Sequence, residues 1–285
     1  MPAIHLPRLR KQIHELSDQI ADPKLFLSRL KDLFDYYGDR TLRPSQLAAK
    51  PTAIPSANVP NPVLRHTING LSPHALSTPH LILDLCRELW NFGWLEHRLL
   101  ASQLLGKLPL DDPDGITTLV EQWCLDNHEE ALLESLSKHS LTQLQTENPN
   151  FLIATAAEWI GAPETRAKQK PPIPASALIN LQKLGLRGLI PLITEPTYEN
   201  LPRIYNALRP IMADPPKVLR PDLLDIIRSL ARRSSAETAY FLRDLACNSP
   251  TATLTWLIRR GLNAFPEDTQ TSLRELINPT KPALN

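Results

Sequence analysis

The sequence predicts an all-α protein, a right-handed α-solenoid of stacked antiparallel helix pairs, and three observations predict it. Only 9 of the 285 residues are glycine, and long alternating runs of Val, Ile, Thr and aromatics are missing, so hairpin and sandwich signals are weak. The 28 prolines are about twice the average share. Because proline removes an amide donor and clashes inside a helix, most of them must sit between helices. The third observation is Leu81 to Leu108, LILDLCRELWNFGWLEHRLLASQLLGKL, which reads as two short amphipathic helices around the turn Asn91-Phe92-Gly93. Neither helix of that hairpin can bury its apolar face alone, so it requires neighbours of its own kind, which is the physical logic of a stacked helical repeat.

The elements follow in order. Arg8 to Tyr37 holds two helical patterns split at Asp22-Pro23, where Asp caps the second helix and Pro occupies its first turn. Phe26, Leu30, Leu33 and Phe34 then recur at helical spacing. From Pro44 to Pro79 seven prolines lie among Ser, Asn, Thr and Ala, and the stretch reads as an extended arm or linker packed on the surface. Helical hairpins are expected over 81–108, 114–137, 141–160, 176–193, 198–212, 220–248 and 251–277, each ending near Pro or Gly and restarting from Asp, Ser, Thr or Asn. Gly161 to Pro174 reads as a loop inserted between repeats. The domain plan is therefore a helical pair over 1–43, a proline-rich arm over 44–78 and a repeat solenoid over 79–278.

At 42% hydrophobic content the chain is long enough to bury a substantial core. Cys86, Cys124 and Cys247 are scattered singly, as expected of small buried apolar residues in a reducing compartment. No apolar run suggests a signal peptide or a membrane span, so a cytoplasmic protein with no membrane partner is expected. Net charge is only +1, but its distribution is uneven. Met1 to Pro149 carries 14 Lys+Arg against 18 Asp+Glu (−4), and the remainder 17 against 12 (+5). The later charge is mostly arginine, including Arg187, Arg228, Arg232, Arg259 and Arg260, whose planar forks suit phosphate oxygens.

No established catalytic signature is visible: there is no Gly-rich phosphate loop, no His-Glu-x-x-His and no Gly-x-Ser-x-Gly, and the eight histidines lack metal-ligand spacing. Neither metal nor cofactor is expected. Glu130 and Glu134 are four apart and share a helix face, while Leu132, Leu133 and Leu136 point elsewhere. A carboxylate lining a groove there could stabilise positive charge developing on a substrate; on an exposed surface it would only be solvated. Trp90, Trp94, Trp123, Trp159 and Trp256 either fill a core or, if exposed beside basic residues, offer stacking planes for bases.

The order of segments resembles a known family. Glu88-Leu89-Trp90 followed by Glu96-His97-Arg98-Leu99-Leu100-Ala101 is similar to the opening repeat of the HEAT-like DNA alkylation-repair proteins, the alkylpurine DNA glycosylases. Glu129 to Leu136, Pro149 to Ile160, Leu186-Arg187-Gly188-Leu189 and Ile227-Arg228 to Leu242 are similar, in the same order, to later segments of that family. The resemblance covers about Leu81 to Phe265 and implies a C-shaped solenoid whose basic concavity holds duplex DNA. In active members such a protein removes cationic alkylated bases. On this resemblance Glu134 is the candidate catalytic carboxylate, and Arg187, Arg228, Arg232, Arg259 and Arg260 are the candidate DNA-binding residues. The chain departs from the pattern at three places: Glu134 stands where the family has Asp, and Glu130 and Asp225 where it has Trp. A longer carboxylate arm is displaced by up to ~1.5 Å, and each missing aromatic plane removes about 1–2 kcal/mol of cation–π attraction when desolvated. The expected partner is duplex DNA bound by a monomer. The alternative is a non-catalytic scaffold that takes a protein or peptide in its concave groove.

Overall fold

The computed structural model describes residues 4–38, 54–127, 129–166 and 172–277. Every regular element among the described residues is helical, so the expected fold class holds at that level. The chain divides into two compact units, Met1–Glu147 and Asn148–Asn285.

The first unit contains α1 (Leu6–Ser17), α2 (Pro23–Tyr37), α3 (Asn61–Ser77), α4 (Pro79–Phe92), α5 (Leu95–Leu105), α6 (Pro113–Leu125), α7 (Glu130–Ser135) and α8 (Thr142–Glu147), with a π-helical turn at Leu136–Ser140. Asp22 caps α2 by accepting the Leu25 amide at 3.1 Å, ahead of Pro23 in the first turn. α4 ends at Gly93, whose φ of +85° is a left-handed conformation that glycine adopts at no steric cost. The helices form two layers. α1, α3, α5 and the α7–π segment pack in succession, while α2 packs on α4 and α4 meets α6 through the stacked rings of Trp90 and Trp123. A short extended stretch is pinned on α5, where the Leu95 amide donates to the Pro55 carbonyl at 2.9 Å. Buried Glu96 there accepts from Ser56 Oγ at 2.6 Å and the Ala57 amide at 3.1 Å.

The second unit contains α9 (Pro149–Ile160), α10 (Ala162–Arg166), α11 (Ala175–Thr194), α12 (Leu201–Ala213), α13 (Arg220–Arg233), α14 (Ser235–Asn248), α15 (Ala252–Gly261) and α16 (Glu267–Ile277). It too has two layers, α9–α11–α13–α15 and α12–α14–α16. Asn148 caps α9 and Thr251 caps α15, each through its side-chain oxygen.

A common register runs through both units. In the first, Ser102 Oγ lies 2.5 Å from Ser135 Oγ, 33 residues on, and Gly106 sits so close beneath the His139 carbonyl that no Cβ would fit. In the second, Tyr205 meets Thr238 at a separation of 33, Arg209 meets Asp244 at 35, Arg187 meets Asp222 at 35 and Arg220 meets Thr253 at 33. Where two such pairs join the same two helices their order is preserved, so helices two apart in the chain run in the same direction. A fixed separation of matched contacts is what a helical repeat of that length produces.

The structure corrects several expectations. Residues 61–77, expected as part of an extended arm, form α3, because Val63, Leu64, Ile68, Leu71 and Ala75 are buried at helical spacing. Pro62 is harmless in the first turn, and the residues around Pro73 hid the period. Residues 176–193 form the single 20-residue helix α11 and not a hairpin; at Gly185 the helix lies against the α9 backbone. Residues 198–212 likewise hold one helix, α12, with Pro202 in its first turn. The loop expected over 161–174 contains the short α10, and its residues 167–171 lie outside those described, as do 44–53 of the expected arm.

Candidate functional site

Six of the second unit's basic residues lie on two helices, Arg220, Arg228, Arg232 and Arg233 on α13 and Arg259 and Arg260 on α15. α13 buries Leu223, Ile226, Ile227 and Leu230, and α15 buries Leu254, Leu257 and Ile258. The opposite faces carry Arg228 and Arg232 on α13 and Arg259 and Arg260 on α15; Arg228 is half-buried and the other three are exposed. Arg220 donates from Nη2 to Thr253 Oγ1 at 3.3 Å and Gly261 approaches Ile227, so the two helices lie side by side in the same direction. Half-buried Trp256 lies on this strip. The guanidinium carbon of Arg220 is 4.9 Å from its ring centroid and that of Arg260 is 5.8 Å away, within the range of cation–π attraction. Arg220 Nε is buried without a hydrogen-bond partner. Asp225 is a nearby carboxylate, 3.6 Å from Arg228 Nη1 and too exposed to bind it firmly. Chemically, the strip offers planar donors on a rigid aromatic support, which is an arrangement suited to phosphate oxygens.

Arg187 has a different role. It lies on α11 with its side chain only 21% exposed and donates from Nε to Asp222 Oδ1 at 2.7 Å, and the Asp222 side chain is 6% exposed. This ion pair ties α11 to α13. The arginine expected to face a ligand thus holds in place the helix that carries Arg228 and Arg232.

Glu134 belongs to the first unit, in the last turn of α7 before the π-helical turn. Its side chain is 56% exposed and accepts from Lys138 Nζ at 2.6 Å, one helical turn on. As expected from the pattern, Leu132, Leu133 and Leu136 are buried beneath it. An ammonium at that distance partly satisfies the carboxylate, so a cationic ligand would have to compete with Lys138.

Trp90, Trp123 and Trp159 are core residues. The Trp90 and Trp123 rings stack at 4.4 Å with an interplanar angle of 3°. Arg98 donates from Nε to the Trp90 carbonyl at 3.1 Å and lays its guanidinium over the Trp90 ring at 4.9 Å; its burial lowers its pKa. His97 is fully buried against Phe92, Phe34 and Trp94, with neither ring nitrogen hydrogen-bonded. Burial, assisted by the Lys31 charge, pushes its pKa down to about 4. Cys86 and Cys124 are buried as expected, whereas Cys247 is exposed.

Sequence reasoning missed Asp222, Arg220 and the role of Trp256. The missing signal was the 33–35-residue register, which pairs Arg187 with Asp222 and Arg220 with Thr253. Among the described residues no cluster of three His, Cys, Asp or Glu side chains is placed to hold a metal ion, and no helix is long and apolar enough to cross a membrane.

Residues 40–165, a little under half the chain, match the family model described as DNA alkylation repair enzyme. This stretch spans the hairpin of α4 and α5, whose residues carry the opening of the resemblance. No curated protein and no solved structure matches the chain.

Proposed function

We propose, on the premise that residues 40–165 are a segment of the DNA alkylation repair enzyme family, that this chain is a right-handed helical-repeat solenoid that binds the backbone of duplex DNA. Its phosphate-contacting surface is the strip of α13 and α15, with Arg228, Arg232, Arg259 and Arg260 as the contacts and Arg187 acting through Asp222 to position α13. One observation carries this reading: two guanidiniums, those of Arg220 and Arg260, rest on one tryptophan. Trp256 restricts their rotamers before any ligand arrives, so less side-chain entropy is lost on binding. The second unit carries the +5 charge and the first the −4, which orients an approaching polyanion toward α13 and α15. A fluorescent duplex titrated at low salt should bind; absence of binding at about tens of micromolar protein, where non-specific DNA affinity begins, contradicts the proposal.

Base excision is the finer form of the same reading. Glu134, next to a π-helical turn of the kind often found at functional sites, is the candidate carboxylate that stabilises an oxocarbenium-like sugar as a cationic alkylated purine departs. Neither metal nor cofactor enters this chemistry. Release of methylated purines from alkylated DNA, lost in Glu134→Gln with helical circular dichroism unchanged, supports it. Equal release by both proteins clears Glu134.

A second reading, a non-catalytic protein-interaction scaffold, is favoured by the groove between α12 and α14. That groove has a volume of about 450 Å³, is lined by Pro202, Tyr205, Phe241 and Tyr240, and leaves Tyr240 72% exposed. Aromatic grooves of this kind accept extended peptides. Co-purification of one stoichiometric polypeptide, without retention on heparin, decides for it.

A further inference from the structure

The first unit holds a basic cavity between α1 and α3. α1 presents Arg10, Ile13, His14 and Ser17 at positions i, i+3, i+4 and i+7, which is one helical face. α3 presents His66, Gly70 and His74 at i, i+4 and i+8, again one face. The two helices meet where a Cβ on Gly70 would lie 2.3 Å from Ile13 Cγ2, so only glycine allows this approach, and the three imidazoles and one guanidinium surround the contact. They line a cavity of about 600 Å³ together with Asn69 and Pro73, and no carboxylate is among its lining residues. His66 and His74 are half-buried, while Arg10 and His14 are exposed at the rim.

We infer that the cavity between α1 and α3 is a binding site for a phosphorylated ligand of nucleotide size. Each imidazole donates one N–H when neutral and two when cationic, so all three histidines can donate to phosphate oxygens in either form, and Arg10 adds a permanent charge. An anion is the charged group that these N–H donors satisfy directly. His66 and His74 are two helical turns apart, about 12 Å along α3. That length and the cavity volume exceed a lone phosphate and match a phosphoryl group together with the sugar or base attached to it. Pro73 has no amide to give the Asn69 carbonyl, so that oxygen can accept from a ligand hydroxyl or amino group. The site uses none of the residues proposed for the DNA backbone and stands or falls independently of them.

The test is histidine imidazole NMR on the full chain, titrated with inorganic phosphate, adenosine 5′-monophosphate and adenosine. Saturable shifts of His14, His66 and His74 with the two phosphorylated probes are expected, with adenosine silent and buried His97 unmoved as the internal control. Arg10→Gln and His74→Gln, both substitutions of helix-surface residues, should each weaken the phosphate response by about tenfold. A 5′-phosphorylated single strand that outcompetes the mononucleotide identifies a DNA end as the source; the reverse order identifies a free nucleotide. Absence of saturable shifts, shifts that include His97 equally, or an unchanged response in both variants overturns the inference.

Discussion

Trp90 and Trp123 stack face to face with ring centroids 4.4 Å apart and planes within 3° of parallel, and the separation between them in sequence is the 33 residues that also joins Ser102 to Ser135. The pair holds α4 to α6 and marks the repeat register in the core of the first unit. Both rings are buried, so Trp90→Ala should cost about 3–5 kcal/mol through lost burial and a cavity. In a Trp90/Trp123 double-mutant cycle read by chemical denaturation, a coupling of about 0.5–1.5 kcal/mol is expected beyond area burial. A coupling near zero would mean that the stack adds nothing beyond burial of each ring.

The ion pair of Arg187 with Asp222 gives a second prediction. Both groups are largely buried, and removing one partner takes a short charge-assisted hydrogen bond from the other. Asp222→Ala should destabilise the protein by about 3–5 kcal/mol, measured as a lowered midpoint in urea. Arg187→Met together with Asp222→Leu should recover most of that loss. Were Arg187 chiefly a ligand contact, Asp222→Ala would leave stability nearly unchanged.

Much of the fold could be read in the sequence, for reasons that particular residues make plain. Gly93 and Asp22-Pro23 are local signals, and they placed the α4–α5 hairpin and the start of α2 correctly. α3 was hidden because proline content outweighed a genuine apolar period, and α11 was read as a hairpin although its 20 residues run without a break. At the candidate site, the arginines of α13 and α15 could be read from the basic excess of the later half. Asp222 did not, because a buried carboxylate three residues into a helix looks like an ordinary first-turn acid until its partner 35 residues earlier is known. Trp256 could be read only as ambiguous, since its arginine neighbours come from both its own helix and α13.

Buried His97 makes stability depend on pH. Its folded pKa of about 4 lies below its usual 6.5, so between these values the unfolded chain binds a proton that the folded chain excludes, and stability rises with pH across this window. The contribution is intact above pH 6.5 and is lost progressively as pH falls to 4, amounting to about 3 kcal/mol. His97→Leu should flatten that part of the profile in denaturation measured from pH 4 to 7. An unchanged slope would place the titration elsewhere.

Buried Glu96 anchors the stretch from Ser56 to Val59 on α5, accepting from Ser56 Oγ and from the Ala57 and Val59 amides. Glu96→Ala strands those donors and should cost about 2–3 kcal/mol, with faster amide exchange at Ala57 and Val59 as the direct readout. Unchanged exchange there would show that the Leu95–Pro55 contact alone holds the stretch.

The central claim, that α13 and α15 contact the DNA backbone, is tested most directly by the salt dependence of duplex binding. Each phosphate contact adds about 0.9 to the magnitude of the slope of log K against log salt concentration. In the triple variant Arg228→Gln, Arg232→Gln, Arg260→Gln the slope should be shallower than in the wild type by about 2–3, with the circular dichroism unchanged. A triple variant whose slope and affinity equal those of the wild type would contradict the claim.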